Sequence, residues 1–157
     1  METPSSAPAP SAHSNDDRTL AALAHVSPIL NFVLGGVGGL LAAGAIWLIY
    51  KDKSKWVAFH GMQSLVFQIA QLITVLIVVG VPWAIGFAFS FITLGFGALL
   101  AVPIMIVVMF IGLALLFAGL IYSLYGAYQI YEGREFKYKW VGDWVERQMQ
   151  STSPPAA

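Results

Sequence analysis

Polar and apolar residues are segregated along this chain into long blocks. Residues 19–50 and 56–131 contain no Asp, Glu, Lys or Arg, and each run exceeds the roughly 18 apolar residues that mark a membrane-crossing helix. As one helix the first block would be about 48 Å long, more than a hydrocarbon core of about 30 Å. Glycines at 35, 36, 38 and 39 offer a break, because glycine supplies the positive φ angles a tight turn needs. The pattern predicts a helix over 17–34, capped by Asp16 or Asp17 and kinked at Pro28, and a second over 38–51. Both are short, so this Gly-turned hairpin need not cross a bilayer. The alternative is a single crossing over 28–50 with 19–27 lying in the interface.

The second block divides at Pro82 and Pro103. It reads as a helix over 56–79, a Phe-rich middle piece over 83–100, and a helix over 103–131 with Pro103 in its first turn. The loop at 51–55 holds Lys51, Lys53 and Lys55, and a second basic group, Arg134, Lys137 and Lys139, follows the block. Basic loops stay in the cytoplasm, so an even number of crossings must separate them. The middle piece is therefore expected to be a membrane-embedded or interfacial excursion on the outer side, with continuation of the preceding helix as one form of it. Tyr122, Tyr125, Tyr128 and Tyr131 suit an aromatic belt at the basic end. Trp140, Val141, Trp144, Val145 and Met149 share one face opposite Asp143, Glu146 and Arg147, as in an amphipathic helix lying on a membrane. A loosely ordered tail with two tryptophans at headgroup depth is the alternative there.

Composition sharpens this picture. Apolar residues make up 58% of the 157 and charged residues 10%, against about 25% charged in soluble domains. The net charge is zero and no cysteine is present, which argues against nucleic-acid binding and removes thiol and disulfide chemistry. The Ser-, Pro- and Ala-rich start carries no basic residue before Arg18, unlike a secretory signal. The expected organisation is a disordered cytoplasmic tail over 1–17, a multi-helix membrane domain over 18–132, an interfacial segment over 133–150 and a disordered tail over 151–157. The fold class is all-α: an integral membrane helical bundle of about four membrane helices in the cell inner membrane, with both termini cytoplasmic.

Polar side chains within the apolar blocks demand partners, since burying one unpaired costs several kcal/mol. His60, Gln63, Ser64, Gln68 and Gln71 fall within an arc of about 140° on their helix, and His25, Ser27 and Asn31 on the first helix are the natural partners. Interhelical hydrogen bonding is the favoured role; a proton relay or metal pair is the other, and two histidines without a carboxylate or third ligand make a poor metal site. Gly112, Gly119 and Gly126 recur every seven residues and Ser123 extends the same small face, as expected of a helix-packing stripe. No carboxylate lies inside the membrane to act as acid, base or ligand, and the glycines at 35–39 lack the Lys-Ser or Lys-Thr of a phosphate loop. An enzyme is not expected, and neither are cofactors or metals.

Asp17, Arg18, Thr19, Leu23, Ala24, His25 and Ser27, then Ile46, Trp47, Leu48, Lys51 and Ser54, and then Phe59, His60, Gln63, Phe67 and Gln68 together resemble the signature of small bacterial membrane proteins in the domain-of-unknown-function family numbered 4870. Gly133, Phe136, Tyr138 and the run 141–143 resemble its closing motif. That family is similar to the twenty-kilodalton Tic component of the chloroplast inner-envelope protein translocon. The resemblance implies a four-helix membrane fold and a distant association with protein translocation; it transfers no catalytic residue. Trp140 stands where a proline is usual, Ala43 and Gly44 replace a common Gly-Pro, and 83–100 is longer than the usual connection.

Two functions follow as expectations. The first is a non-enzymatic accessory or scaffold subunit that binds other membrane proteins, or itself, through the glycine stripe and its cytoplasmic edges, with the lipid bilayer as surroundings. The second is a channel or translocation-pore component. Topology is testable at once, because single cysteines can be introduced into a cysteine-free chain. Cysteine at Ser14, Ser54 or Ser151 should resist an impermeant reagent added outside the cell; strong labelling at 14 alone would select the single crossing over 28–50.

Overall fold

The computed structural model describes residues 13–151, and these form helices with no strand among them. The chain opens with α1 (Asn15–Val26), α2 (Ile29–Val33) and α3 (Gly38–Tyr50). Helix α1 starts earlier than the acidic pair suggests, because Ser14 is the cap and its Oγ accepts from Asp17 N at 3.1 Å. Asp16 and Asp17 then occupy the first turn, where they favour the helix dipole. The helical path is interrupted at Ser27 and Pro28, and it reverses where Gly35 and Gly36 adopt φ of +64° and +93°. Helix α3 returns antiparallel, so residues 19–50 form a hairpin, not one crossing. The tails expected over 1–17 and 151–157 lie largely outside the described residues; residues 15–17 and Ser151 are helical.

Helix α4 (Lys55–Val75) is capped by Ser54 Oγ on Val57 N and passes through a π-helical turn at Leu76–Gly80 into α5 (Val81–Ile92). The whole stretch, 38 residues from Lys55 to Ile92, is continuous. Pro82 lacks a donor, and the wide π turn before it accommodates that loss without ending the helix. The middle piece over 83–100 thus resolves into the end of the preceding helix, a turn at 93–97 and the start of the next. Helix α6 (Ala98–Tyr131) begins five residues before Pro103, which lies inside it. The turn organises its start: Gly97 N donates to Thr93 Oγ1 at 2.7 Å and Ala98 N to Gly95 O at 3.0 Å. Gly86 lets Ala101 and Met105 approach α5 closely, so the proline's single missing bond does not unseat the helix. After a non-helical segment over 132–140, α7 (Val141–Ser151) closes the chain.

Two hairpins of unequal length result. The first ends beside the middle of the second, where Gly36 and Phe32 share a cavity of about 290 Å³ with Leu72, Val75 and Leu116. Below that level α1, α3, α4, α6 and α7 form a bundle whose buried apolar centre is Ala21, Ala22, Ala127, Ile130, Phe136 and Tyr138. Above it α5 and the facing half of α6 stand as a pair. The 38- and 34-residue arms are apolar enough to cross a membrane, yet only 6% and 11% of their most apolar windows are buried. The core helix of a soluble protein would be mostly covered; these present Phe87, Phe91, Ile92 and Leu99 outward.

Small residues set the interhelical distances. A Cβ on Gly61 would stand 2.7 Å from Trp47 N and 3.0 Å from Trp47 Cα, a collision of α4 with the α3 backbone, whereas one on Gly44 would meet Leu65 at 3.8 Å. Gly61→Ala should therefore lower stability by about 1–3 kcal/mol through overpacking. Gly44→Ala should be neutral or gain up to about 1 kcal/mol from helix propensity. Thermal denaturation in detergent of the two variants checks this ordering.

Candidate functional site

The polar stripe of α4 faces α1 and the closing segment, and the bundle shuts over it. His60, Gln63, Ser64 and Gln68 are each at most 4% exposed, and His25 is fully buried. Helical spacing puts these side chains on one face of α4; the reversal at Gly35 and Gly36 and the close packing at Gly39 bring α1, α2 and α3 against it.

At its centre His25 Nε2 lies 3.3 Å from His60 Nδ1, and Gln63 Nε2 lies 3.1 Å from the same His60 atom. His25 Nδ1 lies 2.9 Å from Tyr138 Oη, which is 2.5 Å from Ser123 Oγ; that serine donates to His25 O at 2.7 Å. Gln63 holds the closing segment at both ends of its amide: Nε2 donates to Phe136 O at 3.3 Å, and Oε1 accepts from Tyr138 N at 3.2 Å. The Tyr138 ring stacks on Phe67 with centroids 4.0 Å apart and planes 3° from parallel. His60 Nε2 has no hydrogen-bond partner among the described residues, and Trp56 lies edge-on to the His60 ring at 4.5 Å.

A second set lies toward the glycine turn. Ser64 and Ser27 both donate to Ala24 O, at 2.6 and 2.8 Å. Gln68 Nε2 donates to Ser27 Oγ at 3.1 Å, while its Oε1 accepts from Asn31 Nδ2 at 2.9 Å. Asn31 Oδ1 in turn accepts from Gly39 N at 2.7 Å, which gives one of the first donors of α3 its partner. Gln71 departs from the expectation that the stripe bonds to α1. Its amide donates to Leu115 O and Leu116 O of α6, 3.1 Å each, because at that height α1 has already turned away.

The expected packing stripe of α6 is occupied from within the chain. Gly112 faces Val79, Gly119 faces the Gln71 amide, Gly126 faces the Phe136 ring, and Ser123 bonds to α1. It is therefore not a free face for another membrane protein. Sequence reasoning named Phe136 and Tyr138, which lie beyond the apolar block, only within a closing motif and gave them no place in the cluster, and it missed Gly61, a lone glycine without a repeat. The amphipathic face of α7 also divides: Val145 is fully buried, whereas Trp140 and Trp144 are 79% and 43% exposed.

Chemically the cluster has two imidazoles, a phenol, two serines and amides, with no carboxylate to orient a base. No group of three or more His, Cys, Asp or Glu placed to hold a metal ion occurs among the described residues. Its hydrogen bonds join α1, α4, α6 and the closing segment, as expected of a helical membrane protein that uses its intramembrane polar groups on its own helices. The chain belongs to the magnetosome magnetite crystal formation family MamF/MmsF, whose model matches residues 16–145. This assignment corrects the resemblance to the domain-of-unknown-function family numbered 4870 and the Tic-like translocon component. No curated protein and no solved structure matches the chain.

Burial holds the Tyr138 phenol well above its ordinary value, against the opposing effect of the Ser123 hydrogen bond. A folded-state value above the unfolded one means that the neutral phenol stabilises the fold below about pH 10, and that this contribution is lost as pH rises further toward the folded value. Denaturation followed across alkaline pH should show that loss. Tyr138→Phe should remove it, while costing about 1–3 kcal/mol at neutral pH because His25 Nδ1 and Ser123 lose a buried partner.

Proposed function

We propose that this protein is a non-enzymatic membrane accessory subunit of magnetosome magnetite crystal formation, a scaffold in the membrane and not a catalyst or a pore. The long hairpin crosses the bilayer and the short hairpin enters from the same side without completing a crossing. Both described ends and the 51–55 loop lie on the cytoplasmic side. The cell inner membrane, or a magnetosome membrane continuous with it in topology, is the location. Self-association or binding to other membrane proteins would use the outward apolar faces of α5 and α6, since the glycine stripe is taken up internally.

The observation that carries this reading is the contrast between inside and outside. His25, Ser27, His60, Gln63, Ser64, Gln68 and Ser123 are buried and bonded within the chain, while the flanks of the long arms expose leucine, isoleucine and phenylalanine. A catalyst would need a reactive group at a cleft, and a pore would need the polar stripe to face water. Membership of the crystal-formation family supplies the process. The test is deletion of the gene with complementation by the full chain. Crystals of altered size or number, restored by the full chain and accompanied by carbonate-resistant membrane retention, are expected. Unaltered crystals, or release of the protein by carbonate, would overturn the reading, and ion conductance in reconstituted bilayers would replace it with the pore.

A further inference from the structure

On the side of the α4–α6 seam away from the short hairpin lies an open groove of about 510 Å³. Its walls are Phe67, Ala70, Thr74, Val75, Leu115 and Ala118. Ala70 and Ala118 are small and exposed, and Gly119 adds no side chain, so the seam is recessed. The Gln71 amide is turned onto Leu115 O and Leu116 O, which satisfies the polar groups at the base of the groove and leaves it largely apolar. From Phe67 to Val75 it runs about 12 Å along α4.

One end of this groove is unlike the rest. Lys139, Trp140 and Tyr122 stand at its mouth, at the basic, aromatic level of the bundle. Lys139 N donates to Tyr122 Oη at 3.4 Å, and its Nζ lies 6.0 Å from the Trp140 ring centroid. Trp140 adopts φ +67°, a left-handed conformation that bulky residues rarely take without compensation, and its indole is 79% exposed beside the groove. Neighbouring Lys137 is matched by Glu146 at 2.6 Å, the one ion pair found among the described residues. Lys139 has no such carboxylate among the described residues, so a positive charge is left at the entrance of an apolar channel.

We infer that this groove binds one anionic phospholipid, with an acyl chain along Phe67, Ala70, Ala118 and Gly119 and the phosphate at Lys139 beside Trp140. Charge complementarity selects the headgroup: an ammonium without a carboxylate attracts an anionic lipid, and tryptophan and tyrosine favour the headgroup level of a bilayer. The apolar recess selects the chain, because a free phosphate could use Lys139 but would leave the recess empty. The inference rests on the proposed membrane insertion.

Native mass spectrometry of the detergent-solubilised full chain, given equal amounts of phosphatidylglycerol and phosphatidylcholine with identical acyl chains, tests it. One retained phosphatidylglycerol is expected, preferred about fivefold, the scale set by one basic residue at a membrane surface. Lys139→Gln should abolish that preference, and Ala118→Phe, at an exposed position that the fold tolerates, should lose the adduct by filling the recess. Chain-free glycerophosphoglycerol should not compete. Equal retention of both lipids by the parent chain, unchanged preference in Lys139→Gln, an undiminished adduct in Ala118→Phe, or displacement by the chain-free headgroup would each overturn the inference. Carbonate extraction of the same preparations keeps the two readings apart: a retained protein without lipid selectivity sinks only the lipid site, whereas a released protein sinks the membrane reading beneath it.

Discussion

A polar side chain inside an apolar block must find a partner within the molecule, and the bundle is organised by that requirement. Gln63 is the pivot: one amide touches the histidine pair and holds both Phe136 O and Tyr138 N. Through Tyr138 the lock extends to His25 on α1 and Ser123 on α6. Individual bonds of this kind contribute little, about 0.6–2 kcal/mol between membrane helices. Their effect is on alternatives: sliding α1 along α4 by one turn would strand His25, Ser27 and Asn31 together, each at the cost of an unpaired buried group. The lock therefore sets register as much as stability, and it gives a short hairpin with modest apolar contact a defined seat.

Where the lock ends, the character of the molecule changes. Above Gln71 the cross-helix contacts are apolar or glycine-mediated, with Val79 at Gly112 and Met105 at Gly86, and the surface is left to lipid. The division explains how arms of 38 and 34 residues, longer than a hydrocarbon core of about 30 Å requires, fit one membrane protein. Their lower parts belong to a bundle closed by α7 and the segment through Tyr138. Their upper parts carry the largely uncovered apolar faces.

Much of this was legible in the chain. Gly35 and Gly36 announced the first reversal because a turn with positive φ favours glycine, and each polar residue of the α4 stripe stood out against an uncharged background. Other features left weaker marks. Pro103 reads as a helix start, yet a proline near a helix N-terminus can be accommodated, and the real start follows from the turn at 93–97, where Leu94 and Gly95 adopt φ of +52° and +94°. Tyr138 lies among charged residues and looks interfacial until the fold carries it inward. Gly61 has no periodic companion, so its contact with the Trp47 backbone had no signal. The resemblance misled about family because the residues that carried it, His25, Ser27, His60, Gln63 and Gln68, are residues of the lock in this chain, and residues that pair helices do not specify a cellular task.

The central claim is that Gln63 couples the closing segment to the histidine pair. Amide-resolved hydrogen exchange on the full chain tests it most directly, because Tyr138 N donates to the Gln63 side chain and not to a helical carbonyl. The account predicts that the Tyr138 amide exchanges as slowly as amides in the middle of α4, and that Gln63→Leu releases it to loop-like exchange while the upper arms of α5 and α6 stay protected. Fast exchange at Tyr138 in the parent chain, or protection unchanged by Gln63→Leu, would contradict it.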